Sequence, residues 1–239
     1  MALLATIPDA TRTLRVLAHL LSYPDEATRV HLDEMNTALS SEAALSATRL
    51  AEVQALMNAI ASTSPLEVEA EYVELFDRGR ATSLHLFEHV HGDSRDRGPA
   101  MVDLLQSYER AGLYLAPHEL PDYLPAVLEF ASTQPPREAR ALLAEIAHLL
   151  NALFAALRKR HSAYASVIGA LIELAGEEQQ AVNLGPDEAL DASWEEPPVF
   201  GGCSVLGQAR PGQERTIPQA IPQPIHIVRK TSASEGVQA

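Results

Sequence analysis

Residues Pro136–Leu157 read PREARALLAEIAHLLNALFAAL, and this stretch predicts the class of fold. Large apolar residues recur in it every three or four positions, which is the period of one face of an α-helix. These positions are Leu142, Leu143, Ile146, Leu149, Leu150, Leu153, Phe154 and Leu157. The stretch follows the pair Pro135-Pro136, so we predict one amphipathic helix that starts there.

The same helical spacing extends through residues 1–177. Asp9 can cap a first helix that ends before Pro24, and Ser64-Pro65-Leu66-Glu67 is a capping-box pattern that starts another. Gly176 is suited to end the last one. The other helices are expected near residues 25–39, 41–62, 81–91, 98–108 and 163–175, and one more helix is expected to end near residue 132. Because no strand-like alternation interrupts them, we predict an all-α fold, a single helical bundle over residues 1–177.

Residues 178–239 differ in composition. From Glu173 to Glu196 there are eight acidic residues and no Lys or Arg, and proline is frequent beyond Glu196. Such a composition buries too little apolar surface to offset the chain entropy lost on folding. We therefore predict a largely disordered tail, in which Trp194, Val199 and Phe200 could dock on the bundle or on a partner.

The overall composition excludes several classes of function. The formal net charge is −14, which argues against nucleic acid as a partner, because phosphate binding needs a basic face. A single cysteine, Cys203, rules out an internal disulfide and a cysteine-based zinc site. No apolar run approaches the roughly 20 residues that span a bilayer, and the first residues lack the pattern of a signal peptide. We expect a cytoplasmic protein that does not insert into the membrane.

One motif suggests catalysis. His85-Leu86-Phe87-Glu88-His89 matches H-x-x-E-H, the inverted zinc-peptidase pattern, in which two histidines one helical turn apart share Zn²⁺ and the glutamate acts as general base. Five residues match such a pattern by chance often, and nothing marks a third ligand. A zinc hydrolase is therefore the alternative, and structural or partner-facing histidines are the favoured interpretation. A helical adaptor protein with a disordered interaction tail is a third possibility.

Four arginines form a local basic concentration around this motif: Arg78, Arg80, Arg95 and Arg97. Two loops carrying them could hold an anion such as phosphate. Acidic residues alternate with them, so intramolecular ion pairs are the favoured expectation.

Two further motifs carry a resemblance to a known family. Tyr72-Val73-Glu74-Leu75-Phe76 matches an aromatic-x-x-Leu-Phe pattern, and Glu119-Leu120-Pro121-Asp122-Tyr123 matches Glu-x-Pro-Asp-His with tyrosine at the last position. Between them lies LHLFEHVHGDSRDRGPAMVDLL, residues 84–105. Over residues 9–175 the chain resembles the assembly chaperones of respiratory nitrate reductase, within the all-helical chaperones of molybdenum-cofactor enzymes.

The resemblance implies a function without catalysis and without a permanently bound cofactor or metal. Such a chaperone binds the apo catalytic (alpha) subunit of nitrate reductase, including its N-terminal leader-like segment. It enables insertion of molybdenum cofactor and iron–sulfur clusters before membrane docking. The resemblance also allows transient contact with the molybdenum cofactor and with the proteins that synthesise it.

The resemblance and the local chemistry together name candidate client-binding residues. Aromatic and apolar residues form the expected groove or its supporting wall, although plain core packing explains them equally well. Polar residues are candidates for contact with the leader, and the Asp93–Arg97 loop for contact with the rest of the client. If a histidine lines the groove, leader affinity should change between about pH 5.5 and 7.5. The candidates are Tyr72, Leu75, Phe76, His85, His89, Arg95, Arg97, Tyr108, Glu119, Asp122 and Tyr123.

Overall fold

The computed structural model describes residues 7–91, 94–116 and 119–182, and the regular elements in these ranges are helices. A five-residue π-helix (Val73–Asp77) follows Tyr72 directly, and a 3-10 turn spans Arg80–Thr82. The α-helices are α1 (Thr11–Leu21), α2 (Glu26–Val30), α3 (Leu32–Glu42), α4 (Ala47–Ser62), α5 (Pro65–Tyr72), α6 (Leu86–Val90), α7 (Arg97–Arg110), α8 (Leu124–Thr133), α9 (Pro136–Glu145), α10 (Ala147–Lys159) and α11 (Ala165–Ala175). The all-α prediction is confirmed.

The core is organised around α11. Its residues from Val167 to Ile172 are almost completely buried, because α11 packs against α1, α4, α9 and α10. A helix that is apolar on all sides, as Ala165–Ala175 is, requires such a central position. On another side of the bundle, α1 packs along α8 and α3.

Local signals set several helix ends. Pro65 occupies the first turn of α5, and the Ser64 hydroxyl donates to the Glu67 carboxylate over 2.7 Å, so a helix starts where the capping-box pattern predicts one. Gly176 ends α11 in the left-handed conformation, with φ of +75°. Asp9 accepts from the Thr11 amide over 3.0 Å at the start of α1.

The prediction of one continuous helix over residues 136–157 is wrong. The chain bends by 63° between α9 and α10, at Ile146, whose φ of −92° and ψ of 6° leave the helical region. The apolar period does not reveal the bend. Because of it, both halves place apolar residues on α11, with Leu143 from α9 and Leu153 from α10 buried in the same core.

The helix predicted for residues 25–39 is also divided. It consists of α2 and α3, which meet at His31, and α3 continues to Glu42. There Ala43, with φ of 52°, ends it, so the next helix begins at Ala47 rather than at Ser41.

Within the described ranges, no single helix has the length and apolar character needed to cross a membrane; only the bent pair of α9 and α10 meets that test jointly. The tail prediction falls mostly on residues 183–239, which lie outside the described residues.

Candidate functional site: an apolar groove with an acidic rim

Backbone hydrogen bonds bring the two distant motif segments together. The Leu86 amide donates to the Asp122 carbonyl over 3.0 Å, and the Leu124 amide donates to the Leu84 carbonyl over 2.8 Å. These bonds form an isolated antiparallel bridge between His85 and Tyr123, whose rings lie 5.3 Å apart. The start of α6 is therefore fixed against the segment that enters α8.

A buried carboxylate reinforces this junction. Asp122 is completely buried, and its Oδ2 accepts from the Phe87 amide over 3.1 Å, near the N-terminus of α6. Its Oδ1 accepts from Nδ1 of His85 over 3.3 Å, and Arg97 lies 3.8 Å from Oδ2. Because the hydrogen bond to Asp122 stabilises the imidazolium, the pKa of His85 is raised, although burial opposes this effect.

An aromatic cluster lies beside the junction. The Tyr72 hydroxyl donates to the Leu21 carbonyl over 2.7 Å and lies 3.2 Å from the Tyr123 hydroxyl. The Tyr72 ring packs against Phe76, with 4.8 Å between ring centroids, and the Tyr23 ring stands edge-on to it at 5.6 Å. Burial raises the pKa of Tyr72 far above its usual value, so this phenol stays neutral and acts as a hydrogen-bonding group.

These residues line an open groove of about 590 Å³, here called the tyrosine groove. Two exposed carboxylates, Asp77 and Glu119, lie on its rim. Burial raises the pKa of Tyr123, and the negative charges of Asp77 and Glu119 raise it further. The lining residues are Tyr23, Tyr72, Phe76, Asp77, Leu84, His85, Ala116, Glu119, Leu120 and Tyr123. The groove thus combines an apolar floor with an acidic rim, which suits an apolar segment that carries cations.

Five of the sequence-predicted candidates meet in this groove: Tyr72, Phe76, His85, Glu119 and Tyr123. Sequence reasoning missed Tyr23, which is 45% exposed and lies just after α1, and Leu120, also 45% exposed. The Ser22-Tyr23-Pro24 step looks like an ordinary helix end. Leu120 lies inside the motif Glu119–Tyr123, and its place there could have marked it as a candidate groove residue.

The other candidates lie outside the groove wall. Leu75 is buried in the core. Tyr108 is 1% exposed, its hydroxyl donates to the Pro121 carbonyl over 2.8 Å, and its ring packs on Phe130. Tyr108 therefore holds the motif segment from the side of α7. Asp122 does not line the groove, because its carboxylate is fully buried, but it contacts His85, which does.

Three of the four histidine and arginine candidates, His85, His89 and Arg97, have protein partners. Nε2 of His89 donates to the Ser83 carbonyl over 2.8 Å. Arg97 lies 3.7 Å from Glu88, as well as near Asp122, and Arg78 pairs with Glu74 over 3.0 Å. These contacts agree with the expectation of ion pairs. Arg95 is exposed, in the turn before α7.

The zinc alternative finds no support. In the part of the chain that the structure describes, no three His, Cys, Asp or Glu side chains are grouped so that they could hold a metal ion. His89 uses the proton on Nε2, and His85 the proton on Nδ1, in hydrogen bonds within the protein. Each ring thus has a structural partner.

Comparison with known proteins identifies the family. The sequence profile described as "Nitrate reductase delta subunit" matches residues 25–168. The chain belongs to the nitrate reductase delta subunit family. Its relatives include the nitrate reductase molybdenum cofactor assembly chaperone NarJ of Escherichia coli K12, which is 43% identical over 78% of this chain and 83% of the relative. The probable assembly chaperone NarW of the same strain is 37% identical over 78% and 82%.

A solved structure shares the helical fold of this chain. A protein described as a putative redox enzyme maturation protein, from Archaeoglobus fulgidus, has 17% sequence identity and a TM-score of 0.53. The match covers 74% of this chain and all of that one, so the helical architecture is shared. The relatives NarJ and NarW are named as assembly chaperones rather than as catalysts, which agrees with the prediction that this chain is not an enzyme.

Proposed function

We propose that this chain is a chaperone for molybdenum cofactor assembly in a respiratory nitrate reductase. It binds the apo catalytic (alpha) subunit, including the N-terminal leader-like segment, and keeps that subunit open for molybdenum cofactor and iron–sulfur insertion before membrane docking. Membership of the delta subunit family, together with relatives named for molybdenum cofactor assembly, supports this function. We also propose that it acts in the cytoplasm, where the cofactor and the proteins that synthesise it are transient partners.

The tyrosine groove carries the proposal at the level of residues. Its floor of rings and leucines can accept the apolar face of an amphipathic leader helix. Asp77 and Glu119 on the rim would lie beside the cations of such a leader. The groove is open rather than enclosed, so a leader can leave again once the client is complete.

Titration of the full-length protein with a synthetic N-terminal peptide of the cognate catalytic subunit tests this function. We expect saturable binding by calorimetry and none with a scrambled peptide. Glu119→Lys should weaken binding about five- to tenfold at low salt, because it reverses one rim charge. Glu109→Lys, an exposed and equal charge change outside the groove lining, is the matched control.

The outcomes separate the function from its location. No binding of the native peptide would contradict the chaperone function. Binding that Glu119→Lys and Glu109→Lys weaken equally would place the leader site elsewhere on the bundle. Capture of the apo catalytic subunit, but not the cofactor-loaded subunit, would support a role before cofactor insertion.

A further inference from the structure

A second, smaller cavity adjoins the tyrosine groove along α5. It has a volume of about 370 Å³ and is here called the α5 shelf. Tyr23 lines both cavities, and its ring stands edge-on to that of Tyr72, which lines the tyrosine groove. The two cavities are therefore neighbours that share one half-exposed ring. The other residues that line the shelf are Leu66, Glu69, Ala70, Val73, Glu74 and Arg78.

The helix α5 and the residue that follows it carry apolar side chains on two sides. Val68 and Tyr72, one turn apart, are buried in the core. Leu66, Ala70 and Val73 recur at spacings of four and three residues on the shelf, where Leu66 is 76% exposed. A helix that packs only on its own core presents a polar outer side. An apolar outer side with a charged border is typical of a surface that binds another protein.

The π-helix connects the shelf to the tyrosine groove. The Arg78 amide donates to the Val73 carbonyl over 3.2 Å, the five-residue spacing of a π-turn. Val73 at the start of this element lines the shelf, whereas Phe76 and Asp77 near its end line the tyrosine groove. A ligand that lies along it contacts both cavities. From Leu66 to Val73 the helix rises by about 10 Å, so the shelf adds about two helical turns to the binding surface.

The basic side chains of the two cavities lie beside acidic ones. Among the described residues that line the cavities, Arg78 is the one arginine or lysine, and it pairs with Glu74 over 3.0 Å. His85 lies 3.3 Å from the buried carboxylate of Asp122. The positive charge in the two linings is thus balanced locally.

Three more carboxylates give the combined surface a negative charge: Glu69, Asp77 and Glu119. Glu69 accepts from the Tyr23 hydroxyl over 3.1 Å, and this neutral donor leaves the charge of the carboxylate in place. Burial raises the pKa of Tyr23, and the hydrogen bond to Glu69 and the nearby charge of Asp77 raise it further. The complementary ligand is therefore apolar along its length and carries cations.

We infer that the leader-like segment of the client binds across both cavities as one helix. Its apolar side chains lie over the shelf and the tyrosine groove, and its cations lie beside Glu69, Asp77 and Glu119. The inference rests on the proposed function and extends its site along α5. A second copy of this chain fits less well, because the chain has a formal net charge of −14 and this surface is itself acidic.

Truncation of the most exposed shelf residue tests the apolar contact. The probe is a labelled synthetic N-terminal peptide of the cognate catalytic subunit, and its binding to the full-length protein is measured by fluorescence anisotropy. Leu66→Ala should weaken binding about fivefold, because it removes apolar surface that the ligand covers. Val102→Ala, at an exposed apolar residue of α7 outside both cavities, is the control and should leave the affinity unchanged. Both variants should unfold in urea like the unaltered protein, since both side chains are exposed.

Neutralisation of Glu69 tests the charge. Glu69→Gln keeps an acceptor for the Tyr23 hydroxyl and removes one negative charge from the shelf. It should weaken leader binding about threefold at low salt, and high salt should reduce this difference. Glu109→Gln makes the same change at an exposed position outside both cavities and should leave the affinity unchanged.

Photo-cross-linking shows whether one peptide spans both cavities. Two versions of the leader peptide carry a benzophenone group, one at the N-terminal end and one at the C-terminal end. One version should label residues 65–74 and the other residues 119–123, located by mass spectrometry of the digested protein.

Two results would overturn the inference. One is a leader affinity that Leu66→Ala and Glu69→Gln change no more than their controls do. The other is labelling of residues 119–123 without labelling of residues 65–74, whichever end carries the benzophenone. If Glu119→Lys still weakens leader binding in either case, the proposed function stands and only the extension along α5 is refuted. If the leader does not bind the unaltered protein at all, both are refuted.

Discussion

Replacement of the buried Asp122 should destabilise the fold more than its small size suggests. The variant Asp122→Ala removes the acceptor of the Phe87 amide, the partner of His85 and a carboxylate 3.8 Å from Arg97. Loss of an acceptor at a helix N-terminus costs about 1 kcal/mol. Loss of the carboxylate partner of His85 and Arg97 raises the total to about 3 kcal/mol, and solvent screening keeps it from being larger because both side chains are partly exposed. Asp122→Asn keeps one acceptor oxygen, so its cost should be smaller, about 1–2 kcal/mol.

Urea unfolding of the full-length protein, followed by far-UV circular dichroism at pH 7, measures this loss. With a denaturant slope of about 2 kcal/mol/M, the midpoint of Asp122→Ala should fall by roughly 1.5 M. Asp103→Ala is the control, because Asp103 is exposed on α7, and it should change the free energy of unfolding by less than about 0.5 kcal/mol. If Asp122→Ala were as stable as the control, the buried carboxylate would not hold α6 to the motif segment, and the reasoning would fail.

Three further changes test other features. The pKa of His85 is higher in the folded protein than in the unfolded chain, where it is near 6.5. Its contribution to stability is therefore fully present below the unfolded pKa and is lost as pH rises through the folded pKa. His85→Gln should flatten the resulting decline in the free energy of unfolding between about pH 6 and 8, measured by urea titration. Tyr123→Phe should lose about 1 kcal/mol of stability with leader affinity unchanged; a tenfold weaker affinity at unchanged stability would instead mark the hydroxyl as a leader contact. Gly176→Ala should lower the stability measured by thermal unfolding by about 1–2 kcal/mol, because φ is +75° and the Arg140 guanidinium occupies the space of a Cβ. Gly98→Ala is the control and should not destabilise the protein, because Gly98 lies in α7 with open space around it.

Local chemistry explains which parts of the fold could be predicted. The helix start at Ser64-Pro65 and the stop at Gly176 depend on residues within one turn of the boundary. The bend at Ile146 does not, because the apolar residues keep their helical period on both sides of it. The bend allows both α9 and α10 to pack on α11, and this packing cannot be read from the local sequence.

The candidate site divides in the same way. The motifs named five of the groove residues, since the motif segments around Tyr72, His85 and Tyr123 all line the groove. They did not reveal Tyr23, because its place beside Tyr72 depends on how α1 packs against the rest of the bundle. Nor did the motifs show that Glu119 is exposed and Asp122 is buried, since the direction of a side chain cannot be read from a short sequence pattern.

In the proposed function, that separation lets one short segment contribute to both folding and binding. Within Glu119-Leu120-Pro121-Asp122-Tyr123, Glu119 is exposed on the groove rim, whereas Asp122 is fully buried under α6. The segment cannot easily rotate to exchange these roles, because the Pro121 carbonyl accepts from Tyr108 and the Asp122 carbonyl accepts from the Leu86 amide. Charge changes at Glu119 should therefore alter affinity with little effect on stability, whereas charge changes at Asp122 should lower stability and weaken binding only indirectly, by loosening the groove wall. A cationic client can then be recognised by the exposed charge, while the buried charge keeps the groove wall in place.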